Sequence, residues 1–203
     1  MRMNLPNQIT VGRFFLAVIV LILLASFSWD QRESQRWMIH AAFWLFIVAA
    51  LSDILDGYLA RRQNQVTAFG RILDPFADKM LVLGSYILLL GSGFRDASGA
   101  IVTGLSAWMV VIVVARELLV SGLRGFSEAK GKAFGANWWG KIKMLLQSIC
   151  LGWILQSMSG LRDCGAFVSA RPYAIYTMVL FTALSAVSYV LASREALMEQ
   201  SRD

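Results

Sequence analysis

The residues best placed to do chemistry are four carboxylates, Asp53, Asp56, Asp74 and Asp78, in the stretch DILDGYLARRQNQVTAFGRILDPFAD. Asp53 and Asp56 are three apart and Asp74 and Asp78 four apart, so each pair shares a face if its segment is helical. Apolar sequence precedes the first pair and follows the second. Two helix ends would thus present acid pairs to each other across a basic, polar loop. Carboxylates buried beside a membrane need compensation. One source is a salt-bridged helix end, with Arg61, Arg62, Arg71 and Lys79 as counter-ions. Two pairs on neighbouring helices fit better with a hard divalent cation, Mg2+, Mn2+ or Ca2+, held by oxygen. The single histidine, His40, and the two cysteines, Cys150 and Cys164, make no zinc pattern.

Small residues flank the acids. Gly57 and Ala60 form a strip along which a ligand could approach the backbone, and Arg61 stands four residues after Gly57. Alone, such a strip signals only helix packing. Beside metal-holding carboxylates and an arginine it describes a pyrophosphate site, where metal and guanidinium neutralise phosphate charge.

The elements that must carry this site are apolar. Hydrophobic residues make up 57% of the 203 and charged residues 16%, which excludes an ordinary soluble domain. Several runs approach the roughly 20 apolar residues that span a bilayer as a helix. A β-barrel would instead alternate in polarity along short strands. The expected fold is all-α, one membrane domain over 1–203, with six transmembrane helices near 14–27, 37–60, 74–90, 100–120, 142–158 and 173–192. Asn7 or Thr10 would cap the first helix, and Pro75 would sit in the first turn of the third. A polar, Gly-rich, basic segment covers 116–143, with Lys130 and Lys132 as plain surface charges. The short basic start also resembles a signal peptide, but no clear small-x-small cleavage site follows it. A Cys150–Cys164 disulfide stays open. With six spans, 14 of the 19 Lys and Arg residues fall on the side of the termini, which places both termini and all the candidate chemistry in the cytoplasm. The net charge of +6 then reads as topology and contact with anionic lipid, not as a nucleic-acid surface.

The acidic stretch matches the pattern D-x2-D-G-x2-A-R-x8-G-x3-D-x3-D at Asp53, Asp56, Gly57, Ala60, Arg61, Gly70, Asp74 and Asp78. It resembles the CDP-alcohol phosphatidyltransferases. The resemblance implies a six-helix membrane fold and transfer of a phosphatidyl group from a CDP-linked lipid to an alcohol, with release of CMP. It also implies two divalent ions, Mg2+ or Mn2+, among the four aspartates, with Asp78 as base for the acceptor hydroxyl. Asp53, Gly57, Ala60 and Arg61 would contact the CDP moiety, and Gly70 would keep its neighbourhood open.

Three further stretches extend the likeness over nearly the whole chain: N-L-P-N-x2-T-x2-R from Asn4 to Arg13, A-R-E-x3-S-G-L-R from Ala115, and W-G-K-x-K-x3-Q from Trp139. They resemble the bacterial phosphatidylglycerophosphate synthase branch of the family. That branch implies CDP-diacylglycerol as donor and sn-glycerol 3-phosphate as acceptor. Arg116, Arg124, Lys141 and Lys143 would then bind the acceptor phosphate, and Asn7, Thr10 and Arg13 would close the nucleotide site. A homodimer in the bacterial inner membrane is implied in the same way. Two alternatives stay open: another acceptor, such as serine or inositol phosphate, or a divalent-cation transporter. A transporter would place its acids near the bilayer midplane.

Overall fold

Proline and apolar periodicity explain where the helices lie. The computed structural model describes the backbone of residues 5–63, 68–129, 138–159 and 165–198, and the side chains of 8–52, 73–127, 138–159 and 165–191. Helix α1 (Leu5–Ser26) starts one residue before Pro6, a position where the missing N–H costs nothing. It is followed by α2 (Arg32–Gln63), α3 (Ala68–Leu88), α4 (Ala107–Ala129) and α5 (Trp138–Met158). A short α6 (Gly165–Ser169) precedes α7 (Arg171–Met198), which carries Pro172 in its first turn. Among the described residues there is no strand, only an isolated bridge between Arg95 and Ile101.

Each long helix buries one stripe. Ala17, Val20 and Leu24 of α1 and Ile39, Ala42, Phe46 and Ala49 of α2 recur at three- and four-residue steps and are buried. The alanines let α1 and α2 approach closely, as small residues do where lipid supplies no hydrophobic drive between helices. Gly84 of α3 serves the same end, since a Cβ there would lie 2.8 Å from Leu21 of α1. Helix α1 packs on α2 and α3, α7 on α4 and α5, and α2 and α3 both reach α5.

The opposite faces stay apolar and exposed, with Phe15, Ile22, Trp44, Leu51, Tyr176 and Leu180 among them. Such a surface suits lipid. Three segments are long and apolar enough to cross a membrane: Gln8–Ser26, Trp29–Ser52 and Gly165–Leu191. The chain is therefore an all-helical transmembrane protein.

Four expectations need correction. Helix α3 begins at Ala68, so Asp74 and Pro75 lie inside it and not at its start. An interior proline removes the bond to the carbonyl four residues earlier, at about 3 kcal/mol, so tertiary contacts must hold this turn helical. Phe76, next in sequence, stacks on Phe14 of α1 at 6.2 Å. Second, α1 begins at Leu5, which puts Asn7 in its first turn and buried Thr10 inside it, so neither caps it. Third, α4 starts at Ala107, later than position 100, and the basic stretch is helical through Ala129, which leaves Arg116 in mid-helix. Fourth, the polar stretch 61–72 is helical at 61–63 and 68–72, and 64–67 lie outside the described residues.

The connection between α3 and α4 is tightly built. Asp96 Oδ1 accepts hydrogen bonds from Ser98 N, Ser98 Oγ and Ala100 N, and Arg95 Nη1 donates to Gly99 O. The Ser98 hydroxyl, chiefly, holds the Asp96 carboxyl below its usual range. Phe27, at the end of α1, stacks on Phe94 at 5.1 Å. Gly93 permits that approach, because a Cβ there would lie 2.1 Å from the Phe27 carbonyl oxygen. We expect Gly93→Ala to push α1 from this loop at a cost of about 1–3 kcal/mol. A lower melting temperature of the detergent-purified protein is the measurement; an unchanged one would contradict this contact.

Candidate active site

The chemistry-bearing faces of α3, α4 and α5 meet around one cavity of about 640 Å3. Asp74 and Asp78 come from the first half of α3, Arg116 from the middle and Arg124 from the second half of α4, and Lys141 and Lys143 from the first turns of α5. Tyr189, in the second half of α7, completes the wall. Helices successive in the chain run in opposite directions, so these segments all fall toward one end of the bundle. The built loop between α3 and α4 lies at the other end.

Two buried ion networks organise the cavity. In the first, Arg13 of α1 reaches Asp74 Oδ1 through Nη2 at 3.1 Å and Asp78 Oδ1 through Nη1 at 3.4 Å. The Arg13 side chain is 1% exposed, while Asp74 and Asp78 are 42% and 30% exposed. The guanidinium thus supports the acids from behind and leaves their outer edges on the cavity. Thr10, one turn before Arg13, is buried on the same helix.

In the second, Glu117 Oε1 of α4 pairs with Lys143 Nζ of α5 and, at 2.8 Å, with Nη1 of its own neighbour Arg116. Arg116 Nε donates to Ser185 Oγ of α7 at 2.9 Å, and its guanidinium lies 5.3 Å from the Tyr189 ring centre. One carboxylate therefore ties three helices. Lys79, next to Asp78, donates to Ser121 Oγ, which donates to the Glu117 carbonyl oxygen at 2.6 Å. Tyr86 OH donates to Gln147 O at 2.8 Å and joins α3 to α5 below the cavity. Gly140 admits the Tyr189 hydroxyl, which a Cβ would meet at 2.8 Å.

The placement divides the sequence candidates. Asp74, Asp78, Arg116, Arg124, Lys141 and Lys143 line the cavity together. Arg13 contacts the acid pair. Asp53, Asp56, Gly57, Ala60 and Arg61 fall in the last turns of α2 and Gly70 in the first turn of α3, but their side chains, like that of Asn7, lie outside the described residues. So does Cys164; Cys150 is a buried free thiol. Sequence reasoning passed over Glu117, Ser185 and Tyr189 as parts of the site, and took Lys79 only as a counter-ion of the aspartates, whereas it donates to Ser121. Glu117 left a signal, an acid beside Arg116 within an otherwise apolar run long enough to span. Nothing local distinguishes Ser185 or Tyr189.

The donor chemistry suits a hard divalent ion. Asp74 and Asp78 offer carboxylate oxygens on successive turns at the cavity edge, and the guanidinium across them marks a place where positive charge is stabilised. Among the described side chains, which do not include those of Asp53 and Asp56, no three His, Cys, Asp or Glu residues cluster. Five cations, Lys79, Arg116, Arg124, Lys141 and Lys143, face three carboxylates among the described lining residues, and this balance favours an anionic substrate.

Comparison with known proteins agrees with these features. The family model described as CDP-alcohol phosphatidyltransferase matches residues 3–194. A Bacillus subtilis (strain 168) protein named CDP-diacylglycerol–glycerol-3-phosphate 3-phosphatidyltransferase is 36% identical over 202 residues, covering 96% of this chain and 97% of its own length. Proteins of the same name from Salmonella choleraesuis (strain SC-B67) and Escherichia coli (strain K12) are each 30% identical over 208 residues, covering 98% of this chain and all of theirs. The match takes in Arg13, the acid pairs and the cationic wall alike, and the chain belongs to the CDP-alcohol phosphatidyltransferase family.

Proposed function

We propose that the protein transfers the phosphatidyl group of CDP-diacylglycerol to sn-glycerol 3-phosphate, giving phosphatidylglycerophosphate and CMP. The observation that carries this reading is the joining of Asp74 and Asp78 to Arg116, Arg124, Lys141 and Lys143 around one cavity. A donor pyrophosphate suits the acid end when cations are bound there, and a phosphorylated acceptor suits the cationic end. The names of the relatives support the same donor and acceptor.

In this reading Asp53, Asp56, Asp74 and Asp78 hold two divalent cations, Mg2+ or Mn2+, which supply Lewis-acid neutralisation of the pyrophosphate. Gly57, Ala60, Arg61 and Gly70 flank the CDP moiety, with Asn7 and Thr10 closing it from α1. Arg13 keeps Asp74 and Asp78 on the cavity side by pairing with both from the buried side. The acceptor hydroxyl oxygen attacks the phosphorus that carries diacylglycerol, the P–O bond to CMP breaks, and the hydroxyl proton passes to Asp78. The cationic wall orients the acceptor through its phosphate. Six spans, with both termini and the cavity mouth at the cytoplasmic face of the bacterial inner membrane, would admit both water-soluble partners; charge bias supports that orientation. The working unit is a homodimer.

CMP release by purified protein with CDP-diacylglycerol and a panel of alcohols tests the acceptor. Glycerol 3-phosphate should support turnover and serine should not; the reverse would remove the assignment. Asp78→Asn should cut turnover by about 10²–10⁴-fold while CDP-diacylglycerol binding survives, and a normal rate would remove the base. EDTA should abolish CMP release, and added Mg2+ or Mn2+ should restore it. Full turnover in chelator would exclude the divalent-ion role.

A further inference from the structure

The cavity's cations differ in what holds them. Arg116 and Lys143 are 6% and 4% exposed, and both pair with Glu117, whose side chain is 12% exposed. Arg116 is also engaged by Ser185 and by the Tyr189 ring. Turning either cation toward a ligand would leave a desolvated carboxylate short of its compensation, the costly way to break a buried pair. Arg124 and Lys141 line the same cavity but are exposed, and among the described residues no hydrogen bond or ion pair holds either side chain. They come from different helices, two turns beyond Glu117 on α4 and two residues before Lys143 on α5. A guanidinium can grip a phosphate with two parallel bonds, and an ammonium adds a point charge.

We propose that Glu117 divides these cations into two classes: it positions Arg116 and Lys143 as a fixed wall, and leaves Arg124 and Lys141 as the pair that selects the acceptor's phosphate. This rests on a phosphate-bearing acceptor entering the cavity, as proposed above. Glu117 acts through its partners and is a positioning residue. Arg124 and Lys141 determine specificity, because an acceptor without a phosphate leaves both unengaged.

The test is steady-state CMP release by the full-length protein in detergent, with each substrate varied in turn. Arg124→Gln and Lys141→Gln should each raise KM for glycerol 3-phosphate about tenfold, the size of one lost charge-assisted hydrogen bond. Neither should change KM for CDP-diacylglycerol by more than about twofold or move the melting temperature. The double variant Glu117→Gln/Lys143→Gln removes one carboxylate and one cation together, so no new net charge is left in the wall. It should lower the melting temperature and kcat yet keep KM for glycerol 3-phosphate within about threefold. A tenfold rise in that KM, or an unchanged KM in Arg124→Gln and Lys141→Gln, overturns the division. If the double variant does not fold, Lys143→Arg keeps the pair's charge and faces the same KM criterion. If the wild type releases CMP only with another acceptor, the glycerol 3-phosphate reading has failed. The same variants are then measured with that acceptor: a phosphate-bearing one keeps the division in force, and an unphosphorylated one overturns it.

Discussion

Charge buried between apolar helices must be balanced by charge from another helix, and this constraint shapes the cavity end of the bundle. Arg13 of α1 balances Asp74 and Asp78 of α3, and Glu117 of α4 balances Lys143 of α5 along with Arg116. Each network carries one buried group shared by two partners of opposite sign. Neither partner can leave without exposing an uncompensated charge to a medium that solvates it poorly. The pairs thus act as registers that fix how far each helix slides along its neighbour. The apolar stripes beneath, built from Ala17, Ala42 and Gly84, bring the helices close but would tolerate some slippage.

The same constraint accounts for where the charges of α3, α4 and α5 lie. The segments apolar and long enough to cross, in α1, α2 and α6–α7, present broad lipid-suited faces. Helices α3, α4 and α5 line the cavity and carry its charges: Asp74, Asp78 and Lys79; Arg116, Glu117 and Arg124; Lys141 and Lys143. The buried ones, Arg116, Glu117 and Lys143, compensate one another, while Arg124 and Lys141 face the open cavity. Intramembrane ionisable groups are expensive unless they serve such a purpose. Here they gather in the segments of α3, α4 and α5 that share one end.

Much of this was legible in the sequence because it is local. The pairing of Asp74 with Asp78 follows from four-residue spacing, a rule that needs no tertiary context. Pro75 misleads for the same reason. Its ring favours a first turn, yet α3 extends seven residues before it, and the contacts of Phe76 and Asp74 with α1 hold the turn in place. Arg116 is misread as a helix-end residue because the glycines of 116–129 suggest a break that packing against α7 overrides. Glu117 and Tyr189 depend on partners 26 and 73 residues away, Lys143 and Arg116, and no spacing rule reaches that far.

Donor and acceptor chemistry need not be separate modules. Asp78 and Lys79 are neighbours on α3, yet Asp78 belongs to the Arg13 network and Lys79 to the Ser121–Glu117 side. A single turn of α3 therefore carries both ends of the cavity. Any tilt of α3 that moves the carboxylates also moves a cation of the cavity wall. The Asp74–Pro75 step lies directly before this turn, at the place where the backbone ladder of α3 lacks a bond. Stacking of Phe76 on Phe14 and the grip of Arg13 supply the rigidity that the backbone gives up there. Through Arg13 the N-terminal helix thereby sets the position of two cavity carboxylates, although no described side chain of α1 lines the cavity itself.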